Sequence, residues 1–196
     1  MQGSSEDGGG RRGSRWTRAA WGAAAVMLLL PLVAMQVTDE VSWDETDFIV
    51  FAAMLVVACG TCELAARLTR NAAYLGGVGV AVAAAFILVW MNLAVGIIGS
   101  EDNPANVMFA GVLAVGFAGA CIARFRPAGM ARALSATALA QVLVGAIALI
   151  AGFGSTAPSF PDAILVLTGF FAALWLASAW LFRRAARTAP RAGAAR

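Results

Sequence analysis

Every basic residue in this chain is an arginine, and the fourteen arginines stand in four clusters. These are Arg11, Arg12, Arg15 and Arg18; Arg67 and Arg70; Arg124, Arg126 and Arg132; and Arg183, Arg184, Arg187, Arg191 and Arg196. Two apolar segments lie between each cluster and the next, and the turn joining those two segments has no basic residue. Carboxylates occupy these turns instead: Asp39, Glu40, Asp44, Glu45 and Asp47, then Glu101 and Asp102, then Asp162. Arginine in short loops is retained on the cytoplasmic side of a membrane, so the alternation predicts six crossings with both termini inside. Lipid offers no partner for a bare backbone amide, so a spanning segment must be a helix or part of a closed barrel. Segments near the ~20 residues that cross a ~30 Å hydrocarbon layer select helices. The expected fold is all-α, a polytopic bundle of six transmembrane helices.

The apolar segments fall at about 19–37, 47–66, 72–99, 107–124, 133–153 and 162–182. The third is longer than the rest and should tilt or project. Residues 1–18, rich in Gly, Ser and Arg, read as a disordered cytoplasmic tail, 19–182 as the membrane domain, and 183–196 as a basic cytoplasmic tail. An arginine-rich start followed by an apolar run also resembles a signal peptide. The run lacks an A-x-A site and is as long as a spanning helix, so a retained first span is expected. Ser42 and Glu45 have capping-box spacing for the second helix. Asn103-Pro104 and Pro161-Asp162 have cap and first-turn character for the fourth and sixth. Trp16, Trp21, Trp175 and Trp180 fall near the inner edge and Trp43 and Trp90 near the outer one, as interfacial belts do.

Composition excludes more than it assigns. The chain is 61% hydrophobic and 13% charged, against about 25% charged in a soluble domain. The net charge of +3 follows from arginines that flank apolar runs without interleaved aromatics, so no nucleic-acid partner is expected. With no histidine there is no imidazole base and no His-ligated zinc or haem. No G-x-x-x-x-G-K-[ST] or G-x-S-x-G element occurs. The expectation is a protein without catalytic residues, metal or cofactor.

Four polar residues within the spans form the candidate intramembrane site: Glu63, Arg67, Asn92 and Gln141. Glu63 is the one carboxylate clearly inside an apolar segment, and such groups are functional candidates by default. It also stands four residues before Arg67, about 6 Å along a helix, in the favourable order for an ion pair near the interface. Both readings are carried forward: an interfacial pair, or a proton or cation relay. Gln141 lies nine residues beyond Arg132, about 13 Å inward and near mid-bilayer. Thr137, Gln141 and Gly145 share one face of the fifth helix. Gly77, Ala81, Ala85, Asn92, Gly96 and Gly99 share one face of the third, and Gly169, Ala173 and Ala177 one face of the sixth. Small residues at such spacing let backbones approach, and amides bridge neighbouring helices.

Two motifs are weaker than their letters. Cys59-Gly60-Thr61-Cys62 is a CxxC, but it falls near the C-terminal end of its helix, where the dipole opposes a thiolate. With Cys121 and Glu63 these thiols could make a metal set, although small buried side chains are the simpler reading. Asn103-Pro104-Ala105 has the NPA letters of aquaporins, which use two such boxes. This chain has one, in a turn, where a helix cap explains it.

The stretch Trp90–Asn106, Trp-Met-Asn-Leu-Ala-Val-Gly-Ile-Ile-Gly-Ser-Glu-Asp-Asn-Pro-Ala-Asn, resembles a group of small bacterial inner-membrane proteins with six predicted helices and no established activity. The similar region runs from about Met35 to Arg187. The resemblance implies a bacterial inner membrane and transfers no site residue. The expected role is that of an accessory or scaffold-like integral membrane protein in contact with lipid, with a second copy or another membrane protein as possible partners. The alternative is a small proton- or cation-coupled transporter or channel that uses Glu63, Asn92 and Gln141.

Overall fold

The chain is all-helical. The computed structural model describes residues 8–38 and 42–188. Among these residues the elements are α1 (Gly8–Val37), α2 (Glu45–Leu68), α3 (Ala72–Ala94), α4 (Met108–Ile122), α5 (Pro127–Ile150) and α6 (Asp162–Thr188), with a short 3-10 turn over Pro104–Val107 and no strand. All six helices, α4 together with its leading turn, are long and apolar enough to cross a membrane.

The helix ends show which local signals prevail. Helix α1 runs back to Gly8, so the stretch expected as a disordered tail over 1–18 is helical from Gly8 onward, while residues 1–7 lie outside the described residues. Arginine is a good helix former and can extend a helix already nucleated by an apolar run. Helix α6 likewise continues through Arg183, Arg184 and Arg187 to Thr188. The remaining basic tail, with Arg191 and Arg196, lies outside the described residues, as do Asp39 and Glu40.

Helix α2 does not use the Ser42–Glu45 register. The capping box is two residues later: the Asp47 N–H donates to Asp44 Oδ1 at 2.9 Å, and the Asp44 N–H donates to Asp47 Oδ2 at 3.1 Å. Both registers have the spacing, but this one puts two carboxylates on the positive end of the helix dipole. Trp43, just before the cap, packs edge-on against Phe48 at 5.1 Å, a hydrophobic staple that fixes the entry of the chain. Helix α5 begins at Pro127, six residues earlier than expected, with Pro in the first turn after an extended Arg126. Arg132 is therefore inside the helix.

The third segment is not one long helix. Helix α3 stops at Ala94, where the Val95 and Gly96 N–H groups both turn back to the Met91 carbonyl. Gly96 takes a left-handed φ of +74°, and a Cβ there would run into the Ser100 backbone. Residues 95–103 form a compact loop in which Ile97 and Ile98 are almost wholly buried.

The helices form two compact units, one of α1 and α2 up to Leu68 and one from Thr69 onward. In the first, α1 and α2 pack together over a few residues, and Ala24, Phe51, Leu55 and Ala65 are buried. Most other apolar side chains here, including Val26, Leu29, Leu30, Val33, Ile49 and Val57, are exposed. Such helices are stable only in an apolar solvent, so lipid contact follows from their composition.

In the second unit, α3 packs on α6, α6 on α5, and α5 on α4. Its core is built from Leu88, Phe109, Val112, Ile164, Phe171 and Phe182. Backbones approach at small residues, as expected where van der Waals packing drives association in lipid. The Phe182 ring lies over Gly77, 3.0 Å from where a Cβ would be, and Ser178 Oγ donates to the Gly77 carbonyl at 2.7 Å. Gly116 faces Thr137, Gly119 faces Ala133, and Gly145 faces Thr168. The face Thr137, Gln141 and Gly145 on α5 is buried as expected.

Two expected faces are corrected. Gly169, Ala173 and Ala177 of α6 are exposed; the buried face carries Ile164, Phe171, Ala172, Trp175, Ser178, Ala179, Phe182 and Ala185. Large side chains that interlock with neighbours outweigh a small-residue run with nothing opposite it. On α3 the buried residues are Gly77, Val78, Ala84 and Leu88, while Gly96 and Gly99 belong to the loop. Trp175, expected in an interfacial belt, turns its ring into the protein rather than outward. It is 3% exposed and belongs to the core.

Candidate functional site

Glu63 lies one turn from the end of α2, and both carboxylate oxygens are engaged. Trp21 Nε1 of α1 donates to Glu63 Oε2 at 2.9 Å, and the Arg67 guanidinium pairs with Oε1. The i,i+4 spacing brings Arg67 over Glu63 on one helix face. Trp21 ties the pair to the neighbouring helix, a contact that sequence spacing could not indicate. Arg67 is largely exposed and Glu63 much less so. The geometry is that of a carboxylate held between an indole N–H and a guanidinium, which are both charge-compatible donors.

The three cysteines are free thiols. Cys59 and Cys62 are half-buried on α2, and Cys59 Sγ lies 3.9 Å from the Ala20 carbonyl, a weak contact. Cys121 is exposed near the end of α4. Among the described residues no three His, Cys, Asp or Glu side chains converge in a way that could hold a metal ion.

Asn92 and Gln141 belong to the second unit. The Asn92 amide nitrogen turns back to its own helix and donates to the Leu88 carbonyl at 2.8 Å, while its oxygen is buried without a partner. Gln141 is fully buried, and neither its oxygen nor its nitrogen has a protein partner. Thr168 Oγ1 and Trp175 Nε1, both on α6, are in the same condition. Gly145 touches Thr168, and Gln141 is one turn from Gly145 on the same α5 face. The helices run antiparallel, which places Gln141 at a level between Thr168 and Trp175. A buried, unpaired amide destabilises by about 1–3 kcal/mol per group, so these atoms mark the most polar place in the core of the unit.

The NPA letters and the asparagine that follows them do two separate jobs. Asn103 caps the 3-10 turn, accepting from the Ala105 N–H at 3.0 Å, with Pro104 in the first turn. Asn106 was missed by motif reading and does more. Its side-chain oxygen accepts from the Ile97 and Ile98 N–H groups at 3.1 and 2.9 Å, and its nitrogen donates to the Ser100 carbonyl at 2.7 Å. It therefore stands in for the helix that ended at Ala94. The usable signal was the pair of glycines, Gly96 and Gly99, in an otherwise apolar run.

No family model, no curated protein and no solved structure matches the chain. Its identity therefore rests on its own physics, which makes it an all-helical, multi-pass membrane protein with six candidate spans.

Proposed function

We propose that this chain is a non-enzymatic integral membrane protein of a bacterial inner membrane, accessory or scaffold-like in role, with both termini on the cytoplasmic side. The observation that carries the reading is the engagement of Glu63. The one carboxylate well inside a span is used to join Trp21 of α1 and Arg67 of α2, a structural use that needs no transported ion. Replacement of Glu63 by Gln tests it. Glutamine keeps an acceptor for Trp21 and loses the ion pair, so a small fall in melting temperature is expected, with unchanged permeability of reconstituted vesicles to protons and sodium. Loss of a proton- or cation-coupled flux at unchanged melting temperature would falsify the reading.

The orientation rests on the arginine distribution. Reporter fusions after residues 103 and 157 should report the outer side, and fusions after 69, 128 and 190 the inner side. An inner-side signal at 103 would overturn the scheme for α3 and α4 together.

A second reading, a small transporter or channel, is favoured by the unpartnered Gln141 at a level between the equally unpartnered Thr168 and Trp175. It expects a solute flux in vesicles that Gln141→Leu removes while Glu63→Gln does not.

A further inference from the structure

The second unit gathers positive charge at one end without compensation. Between Thr69 and Thr188 the only carboxylates are Glu101, Asp102 and Asp162. These lie in or beside the loops at the far ends of α3 and α6, about 35 Å away along helices of this length. At the near end stand Arg70, Arg124, Arg126, Arg132, Arg183 and Arg184, all exposed. Among the described residues none of them is in a salt bridge.

This end is assembled from four elements. Tyr74 of α3 donates its hydroxyl to the Phe125 carbonyl of the α4–α5 turn at 2.8 Å. Arg183 of α6 donates to Ser135 Oγ of α5 at 3.2 Å, and Asn71 donates to Thr188 Oγ1 at 3.1 Å. Arg184 lies over the Trp180 ring at 5.8 Å, an arrangement suited to the interfacial zone.

The turn itself is strained. Arg124 and Phe125 are consecutive non-glycine residues with left-handed φ of 49° and 57°. Backbone strain of this kind persists where surrounding contacts enforce it, and here the Tyr74 hydroxyl holds the turn. A glycine at either position would relieve it, yet the chain places an arginine and an exposed phenylalanine there. An apolar ring beside guanidinium groups at the end of a spanning helix matches a headgroup boundary, with the ring in acyl chains and the charges at phosphate level.

We propose that this rim, centred on Arg124, Arg126 and Arg132 with Arg183 on the adjoining helix, is a binding site for the phosphate-bearing headgroup of an anionic phospholipid. Guanidinium groups pair with phosphate oxygens through two parallel N–H donors, and here several stand on one rim, with Arg183 held toward α5 by Ser135. The proposal requires only that the helices span a bilayer. It does not depend on which side the rim faces or on the role proposed above.

The test uses the full chain in detergent and reads retained lipid by native mass spectrometry. Phosphatidylglycerol, phosphatidylcholine and inorganic phosphate are the three probes. Phosphatidylglycerol should be retained in preference to phosphatidylcholine, and inorganic phosphate should compete poorly because it lacks chains to sit beside Phe125. The double substitution Arg126→Gln/Arg132→Gln should weaken phosphatidylglycerol binding by roughly 25-fold, about 5-fold per arginine. Arg124→Gln, at the strained turn, is the second variant, with the melting temperature measured alongside so that loss of fold is separated from loss of binding. A charge-matched control, Arg11→Gln/Arg12→Gln near the start of α1, should leave binding near that of the parent. Equal weakening by the control would show generic attraction and overturn the site. Equal retention of the two lipids, or full competition by inorganic phosphate, would overturn it as well.

Discussion

Replacing Asn106 with leucine is expected to lower the stability of the second unit by about 2–5 kcal/mol, the largest loss from any single polar side chain here. The figure follows from what the side chain holds. Its oxygen accepts from two successive buried backbone N–H groups, those of Ile97 and Ile98, and its nitrogen donates to the Ser100 carbonyl. Leucine is similar in size but offers neither group. Each stranded N–H would then bear a desolvation penalty of about 1–3 kcal/mol. Ile97 and Ile98 are nearly inaccessible, so water could replace the lost partner only if the loop opened. Asn106→Asp separates the two halves of the role. Aspartate retains the acceptor for Ile97 and Ile98 but sets a carboxylate against the Ser100 carbonyl, so an intermediate loss is expected. Thermal unfolding in detergent or nanodiscs would measure both. A leucine variant as stable as the parent would show that the 95–103 loop does not depend on this clamp.

Asn106 also marks the boundary of what sequence conveyed. The six spans were legible because two independent restrictions agree. The arginines alternate with the carboxylates along the chain, and each apolar run matches the bilayer thickness. Helix ends were legible where one signal stood alone, as at Asn103-Pro104. They were misread where two registers competed, as at Ser42–Glu45 against Asp44–Asp47. The end of α3 was missed because an apolar run gives no sign of ending until a glycine adopts a positive φ, and Gly96 lies within the run. Glu63 with Arg67 was visible as an i,i+4 pair, but Trp21 was not, because a contact between residues 42 apart depends on how two helices meet. The α6 face failed for a related reason. Small residues allow close approach, but only large residues on the opposing helices decide which face is used. Gln141 was found by its type and depth, whereas Thr168 and Trp175 joined it only through the antiparallel pairing of α5 and α6.

That pairing supplies the last expected result, a contrast between two glycines that differ only in what lies opposite. A Cβ at Gly145 would press on the Thr168 side chain, 2.8 Å from Cγ2 and 3.1 Å from Cβ, and closer still to the hydroxyl. A Cβ at Gly169 would meet nothing within 4 Å. Alanine favours a helix over glycine by about 1 kcal/mol, so Gly169→Ala should be neutral or stabilising. At Gly145 the same gain is set against overpacking of about 1–3 kcal/mol, and the threonine Cβ cannot swing aside as a flexible chain end would. Gly145→Ala should therefore be destabilising on balance, and Gly145→Leu should cost about 3 kcal/mol or more. Thr168→Ala removes the two atoms nearest the clash. Its hydroxyl has no partner to lose, so the substitution alone should be mild. Combined with Gly145→Ala it should restore most of the stability, giving a coupling of about 0.5–3 kcal/mol in a double-mutant cycle. Strict additivity of the two substitutions would mean that α5 and α6 do not meet at this level. The placement of Gln141 between Thr168 and Trp175 would then fail with it, because it is drawn from the same close approach.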